Sequence, residues 1–158
     1  MMGSKVGGVA DPQDGFRKAS LGISVALLVQ SGVGMAVLLH KHVAHRNTGL
    51  FAALGQALGS WPVVLAIHAW IGLVVVGGSI HTLMTARVTG RPLFMLTSGI
   101  GMLSLLGAAL SGAAYVENGS GAASAMMAVL GGVALCCYLA NVAVSNVAVS
   151  IQEGRTRG

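Results

Sequence analysis

The sequence predicts an all-α fold: an integral membrane four-helix up-down bundle with both termini cytoplasmic. Three observations predict it. Four apolar runs each approach or exceed the roughly 20 residues that a helix needs to cross the hydrocarbon core. Of the 158 residues, 54% are hydrophobic and only 8% charged, against about 25% charged in a soluble domain. The basic residues gather at alternate ends of the apolar runs, as topology rather than surface solubility would arrange them.

Taken in order, residues 1–158 read as a single transmembrane domain with spans at about 20–40, 61–86, 93–115 and 122–150. Residues 1–18 read as a short cytoplasmic tail, with Lys5, Arg17 and Lys18 set against Asp11 and Asp14. The uncharged run Leu21 to Leu39 is expected to be a retained helix, because no small-residue cleavage site follows it promptly. It ends in the polar cluster His40, Lys41, His42, His45, Arg46 and Asn47. A short apolar segment at about 50–58 is too brief to span and is expected along the membrane surface.

The second run opens at Trp61–Pro62, where the proline suits a first helical turn and the tryptophan an interfacial belt. A tight basic linker from Arg87 to Pro92 leads into the third run, Leu93 to about Ala114. Tyr115, Glu117, Asn118 and a Gly/Ser turn separate this from the fourth, which ends near Ser150.

Orientation follows from the basic residues. Lys5, Arg17, Lys18, Arg87, Arg91, Arg155 and Arg157 fall on one side, Lys41 and Arg46 on the other. That imbalance puts both termini on the cytoplasmic side, and Glu117 outside with the His40–His45 cluster. The net charge of +5 does not suggest a nucleic-acid partner, since the cations form no stripe or aromatic-interleaved patch. Glycine is abundant at 24 residues. The pairs Gly32…Ala36, Ala108…Gly112 and Ala128…Gly132 are spaced for close helix approach. Cys136 and Cys137 are adjacent in an apolar run, about 100° apart on a helix, which disfavours a disulfide between them.

No Lys, Arg, Asp or Glu lies within a predicted span, so the ionisable candidates are histidines. His68 lies six residues past Pro62 and His81 six before Arg87, each roughly 9 Å from its interface at 1.5 Å per residue. An imidazole at that depth is costly unless paired, hydrogen-bonded or metal-bound. Gly72 and Gly77 share the faces of His68 and His81 respectively. They leave room for either a flat macrocycle or an approaching helix. Thirteen residues separate the two histidines, which sets their rings about 140° apart around the axis. His68 has His40 as a ligand partner in the same leaflet, whereas His81 has only Met84 and Met95 as soft donors. Without a ligand, His68 would be a neutral ring bonded to a neighbouring-helix Ser or Asn such as Ser111. His81 would bond headgroups or Thr85. Asn141, Ser145 and Asn146 read as interhelical hydrogen-bonders, and Met126–Met127 as packing.

Gly34-Met-Ala-Val, the loop histidines, Ile67-His-Ala and Gly107-Ala-Ala-Leu-Ser-Gly112 resemble stretches of small uncharacterised bacterial four-span membrane proteins. In general plan the chain also resembles four-helix b-type membrane cytochromes. That resemblance implies haem b bound by His68 and His40, with an inner site at His81. It also implies electron transfer near the outer leaflet with membrane quinone or a larger respiratory complex as partner. If redox active, the chain would be a quinol- or oxygen-linked oxidoreductase component. Two other functions stay open. The loop His40, His42 and His45 with Glu117 could bind copper or zinc. Alternatively the chain is a non-catalytic accessory subunit of a larger membrane complex, or a homo-oligomer, in which the histidines are dispensable.

Overall fold

The computed structural model describes residues 12–39 and 63–156, and positions 49, 52, 55 and 58 between them; side chains are described for 13–37 and 63–147. The described residues form four helices: α1 (Pro12–Leu39), α2 (Val63–Val88), α3 (Pro92–Asn118) and α4 (Gly121–Thr156). Each is long and apolar enough to cross a membrane, which makes the chain a multi-pass membrane protein. The expected surface segment at about 50–58 falls mostly outside the described residues.

Each helix packs against the next, and α4 closes the ring against α1; the diagonal pairs make no close backbone contact among the described residues. Leucine, valine, isoleucine and methionine side chains point outward on every helix, among them Leu28, Val74, Leu103 and Val129. In water such a surface would aggregate; in lipid it is solvated.

Inside the ring the core lies in three levels. Phe16, Ala86 and Phe94 meet at one end, with the two rings 4.6 Å apart between centroids. Ile23, Leu27, Val75, Leu105, Ala134 and Tyr138 fill the middle. Val37, Leu65 and Val116 meet at the other end. Between the first two levels all four helices bury polar side chains: Ser20, Ser24, Ser79, Thr82, Ser98, Asn141 and Ser145. Most of these hydroxyls bond back to their own helix, as Ser24 does to the Ser20 carbonyl at 2.9 Å and Ser145 to that of Asn141 at 2.7 Å. Asn141 crosses between helices. It donates to Ser98 Oγ at 3.2 Å, and its Oδ1 accepts from Thr97.

The first helix corrects the sequence expectation, because residues 12–18 of the expected tail are helical. Pro12 suits a first turn, and Asp14 pairs with Arg17 at 2.7 Å and Lys18 at 2.8 Å, the spacings at which helical side chains meet. Phe16 is fully buried and anchors the extension to α3. Arg17 also donates to Asn146 Oδ1 on α4 at 3.3 Å. The fourth helix likewise runs past the expected end at Ser150, to Thr156.

The two described turns follow glycine chemistry. Gly90 between α2 and α3 has φ 68°, and Gly119 after α3 has φ 67°. This is the left-handed region that glycine enters without steric cost. Gly119 donates its N–H to the Tyr115 carbonyl at 2.8 Å, closing the last turn of α3.

Candidate functional site

The only polar side-chain contact between α1 and α2 joins Gln30 to His68, among the described hydrogen bonds. It lies between the middle core level and the Val37–Leu65–Val116 level. The Gln30 Nε2 donates to the His68 main-chain carbonyl at 2.9 Å. Its second hydrogen faces His68 Nε2 at 3.3 Å. An amide nitrogen can only donate, so His68 Nε2 is the acceptor and the neutral ring carries its proton on Nδ1.

Two glycines make this contact fit. Gln30 and Gly34 share one face of α1, and His68 and Gly72 share one face of α2, each pair four residues apart. A methyl group in place of the Gly34 hydrogen would lie 3.0 Å from His68 Cε1. A methyl group at Gly72 would lie 3.0 Å from Gln30 Nε2. Each helix therefore supplies a polar side chain and, one turn away, the vacant seat that receives the other's. Two atoms of the clasp stay unmatched: among the described residues, His68 Nδ1 and Gln30 Oε1 are buried with no hydrogen-bond partner.

This geometry tests the residues expected to bind haem. Axial ligation needs a ring nitrogen aimed into a slot wide enough for a macrocycle. His68 instead lies flush on Gly34, its Nε2 facing the Gln30 amide. The space at Gly72 is filled by Gln30. As placed, His68, Gly34 and Gln30 leave no room for a macrocycle at this contact; the second expected ligand, His40, lies outside the described residues. Ser111, offered above as a hydrogen-bonding partner, is not the one that meets His68; Gln30 is.

His81 is exposed on α2 and borders a shallow groove of about 250 Å³ against Ala19, Gly22 and Gly78. Thr85 bonds the His81 main-chain carbonyl at 2.9 Å rather than its ring. Gly77 has nothing within 4 Å of where a side chain would start. Met84 and Met95 are exposed. His40, His42 and His45 lie outside the described residues, and Glu117 is half-buried near the end of α3. Among the described residues no three His, Cys, Asp or Glu side chains gather as a metal site. Both cysteine thiols are free.

Comparison with family models, curated proteins and solved structures finds no match to the chain.

Gln30 is the site residue that the sequence reading passes over. Its signal was present: one amide in an otherwise uncharged, apolar run. An unpaired amide in hydrocarbon costs several kcal/mol (roughly 4–8 on a cyclohexane scale), so the argument applied to the histidines applies equally to it.

Proposed function

We propose that this chain is a non-catalytic accessory subunit of a larger membrane complex. In this reading it is an up-down bundle in a bacterial inner membrane with both termini cytoplasmic. One observation carries the assembly role. Gly22, Gly32, Gly77 and Gly132 are exposed on the outer faces of the helices, with nothing within 4 Å of where a Cβ would stand. A glycine inside a helix costs about 1 kcal/mol relative to alanine, and nothing within the bundle repays it at these positions. In membranes such bare backbone faces are what an approaching helix packs on. The up-down order is supported by the end clusters, which bring the start of α1 to the end of α2 and the start of α3. The cytoplasmic termini rest on the distribution of basic residues.

Blue-native electrophoresis of membranes solubilised in mild detergent tests this. The chain is expected in a band far above its own 15.8 kDa, and Gly132→Leu should shift it toward the free chain without unfolding it. Migration of wild type as a lone chain would sink the proposal.

A second reading, electron transfer near the outer leaflet, is favoured by the unmatched Nδ1–H of His68 and Oε1 of Gln30. A buried donor and a buried acceptor within one contact suit the hydroxyl of a quinol and the carbonyl of its quinone better than a macrocycle. An oxidised-minus-reduced spectrum of purified protein, with metal analysis, separates the readings. The accessory role predicts a colourless protein without stoichiometric copper, zinc or iron. Reduced haem bands lost in His68→Ala would favour the haem b expectation instead.

A further inference from the structure

A groove of about 300 Å³ runs along the outer flank between α2 and α3. Ile80, Leu83, Met84, Met102 and Leu106 line it, and Arg87 is its one charged lining residue. Arg87 ends α2 beside the turn, whereas Leu106 lies fourteen residues into α3 from Pro92, about 21 Å of helix rise. The groove thus passes from a guanidinium at the turn to a purely apolar floor deep along the helices. Two flexible methionines in its wall can adapt to an irregular occupant.

The other described cations at this end are already engaged. Arg17 and Lys18 pair with Asp14. Arg91 sits 5.7 Å over the Phe94 ring and takes the Gln13 amide oxygen at 2.9 and 3.2 Å in the orientation its neighbours favour. Arg87 has no acidic partner among the described residues. Among the described residues nothing supplies its counter-charge, which leaves Arg87 available to an anion whose apolar part fits the groove.

We propose that this groove binds one anionic phospholipid, its phosphate on Arg87 and an acyl chain along Leu83, Met102 and Leu106. Arginine meets phosphate with a planar fork of donors, and basic positions between transmembrane helices are where anionic head groups bind. The site is independent of the accessory role, since it needs no partner chain.

The test titrates purified full-length chain in detergent with phosphatidylglycerol or phosphatidylcholine of identical acyl chains, reading bound lipid by native mass spectrometry. Phosphatidylglycerol is expected to bind about fivefold more tightly, the effect of one arginine on a head group of net negative charge, since the choline of phosphatidylcholine offsets its phosphate. Arg87→Gln should erase that preference and Arg87→Lys keep most of it. Leu83→Trp, which fills the groove, should weaken both lipids; Ile80→Trp serves if the first variant misfolds. Inorganic phosphate alone should compete poorly, because it lacks the chain. Preference surviving in Arg87→Gln, undiminished binding in both filled variants, or full competition by phosphate would each overturn the proposal.

Discussion

Removing the Gln30 side-chain amide should destabilise the bundle more than removing the His68 ring, although the two form one contact. In Gln30→Leu two interhelical hydrogen bonds are lost, at 2.9 Å to the His68 carbonyl and 3.3 Å to its ring nitrogen. In membranes such bonds average about 0.6 kcal/mol, so the pair accounts for about 1 kcal/mol. The larger loss is what stays behind. His68 Nε2 joins Nδ1 as a buried polar atom without a partner, and stranding one such atom costs about 1–3 kcal/mol. The sum is about 2–4 kcal/mol, and losing the equally unmatched Gln30 Oε1 returns part of it, which leaves about 2–3 kcal/mol. In His68→Leu the balance reverses. The already unmatched Nδ1 disappears, the amide keeps its bond to the residue 68 carbonyl, and the expected loss is about 1 kcal/mol or less.

The double variant Gln30→Leu/His68→Leu strands nothing on α2 and should recover to within about 1 kcal/mol of wild type. With the double variant and His68→Leu each costing about 1 kcal/mol, that leaves a coupling of about 2–3 kcal/mol between the positions. Steric trapping in detergent micelles gives the three stabilities directly. A Gln30→Leu protein as stable as wild type would refute the reasoning. So would a double variant no better than Gln30→Leu alone.

Four further substitutions have expected outcomes. Gly34→Leu should separate α1 from α2 and cost about 1–3 kcal/mol, the usual range for overpacking, because its first carbon already meets His68 Cε1 at 3.0 Å. Gly32→Leu, two residues away with nothing within 4 Å, should leave the stability of the isolated chain unchanged by the same assay. Asn141→Leu cuts the links to Thr97 and Ser98 and should cost about 1–2 kcal/mol, read as a lower midpoint in sodium dodecyl sulfate titration. Gly90→Ala forces a side chain into φ 68° and should cost about 1–2 kcal/mol, visible as a lower thermal midpoint with no change in helix content.

Much of the fold was legible because its cause is solvent. Four runs without charge between Leu21 and Ser150 could only be satisfied in lipid by closed hydrogen bonding within helices, and the structure has four such helices. The helix ends were less legible. Residues 12–18 look polar enough for a tail, yet Asp14, Arg17 and Lys18 close ion pairs at helical spacing and Phe16 finds Phe94 some eighty residues away. Only the second of those facts needs tertiary structure; the first could have been read from the spacing. The small-residue pairs were legible only in part: Ala108 is buried and Gly112 meets Met127 on α4. Gly32 and Gly132 have the right spacing to a small neighbour but face outward, while Gly34 and Gly101 receive His68 and Tyr138. Spacing gives the face a residue shares, not which face turns inward.

The histidines show where that limit lies for function. Thirteen residues at 100° each leave the two rings about 140° apart around α2, and the structure packs His68 against Gln30 of α1 while His81 stays exposed at the rim of the α1–α2 groove. What lies opposite His68 depended on α1, and no property of α2 alone could supply it. A glycine one turn from a buried imidazole signals only that a volume has been kept clear. A cofactor would demand that the facing helix keep the same volume clear. A structural clasp demands that the facing helix fill it, and Gln30 does so against Gly72. A buried histidine in a membrane helix is therefore best judged by its partner's side chains: the identity of the group occupying the glycine's space separates a ligand site from a packing contact.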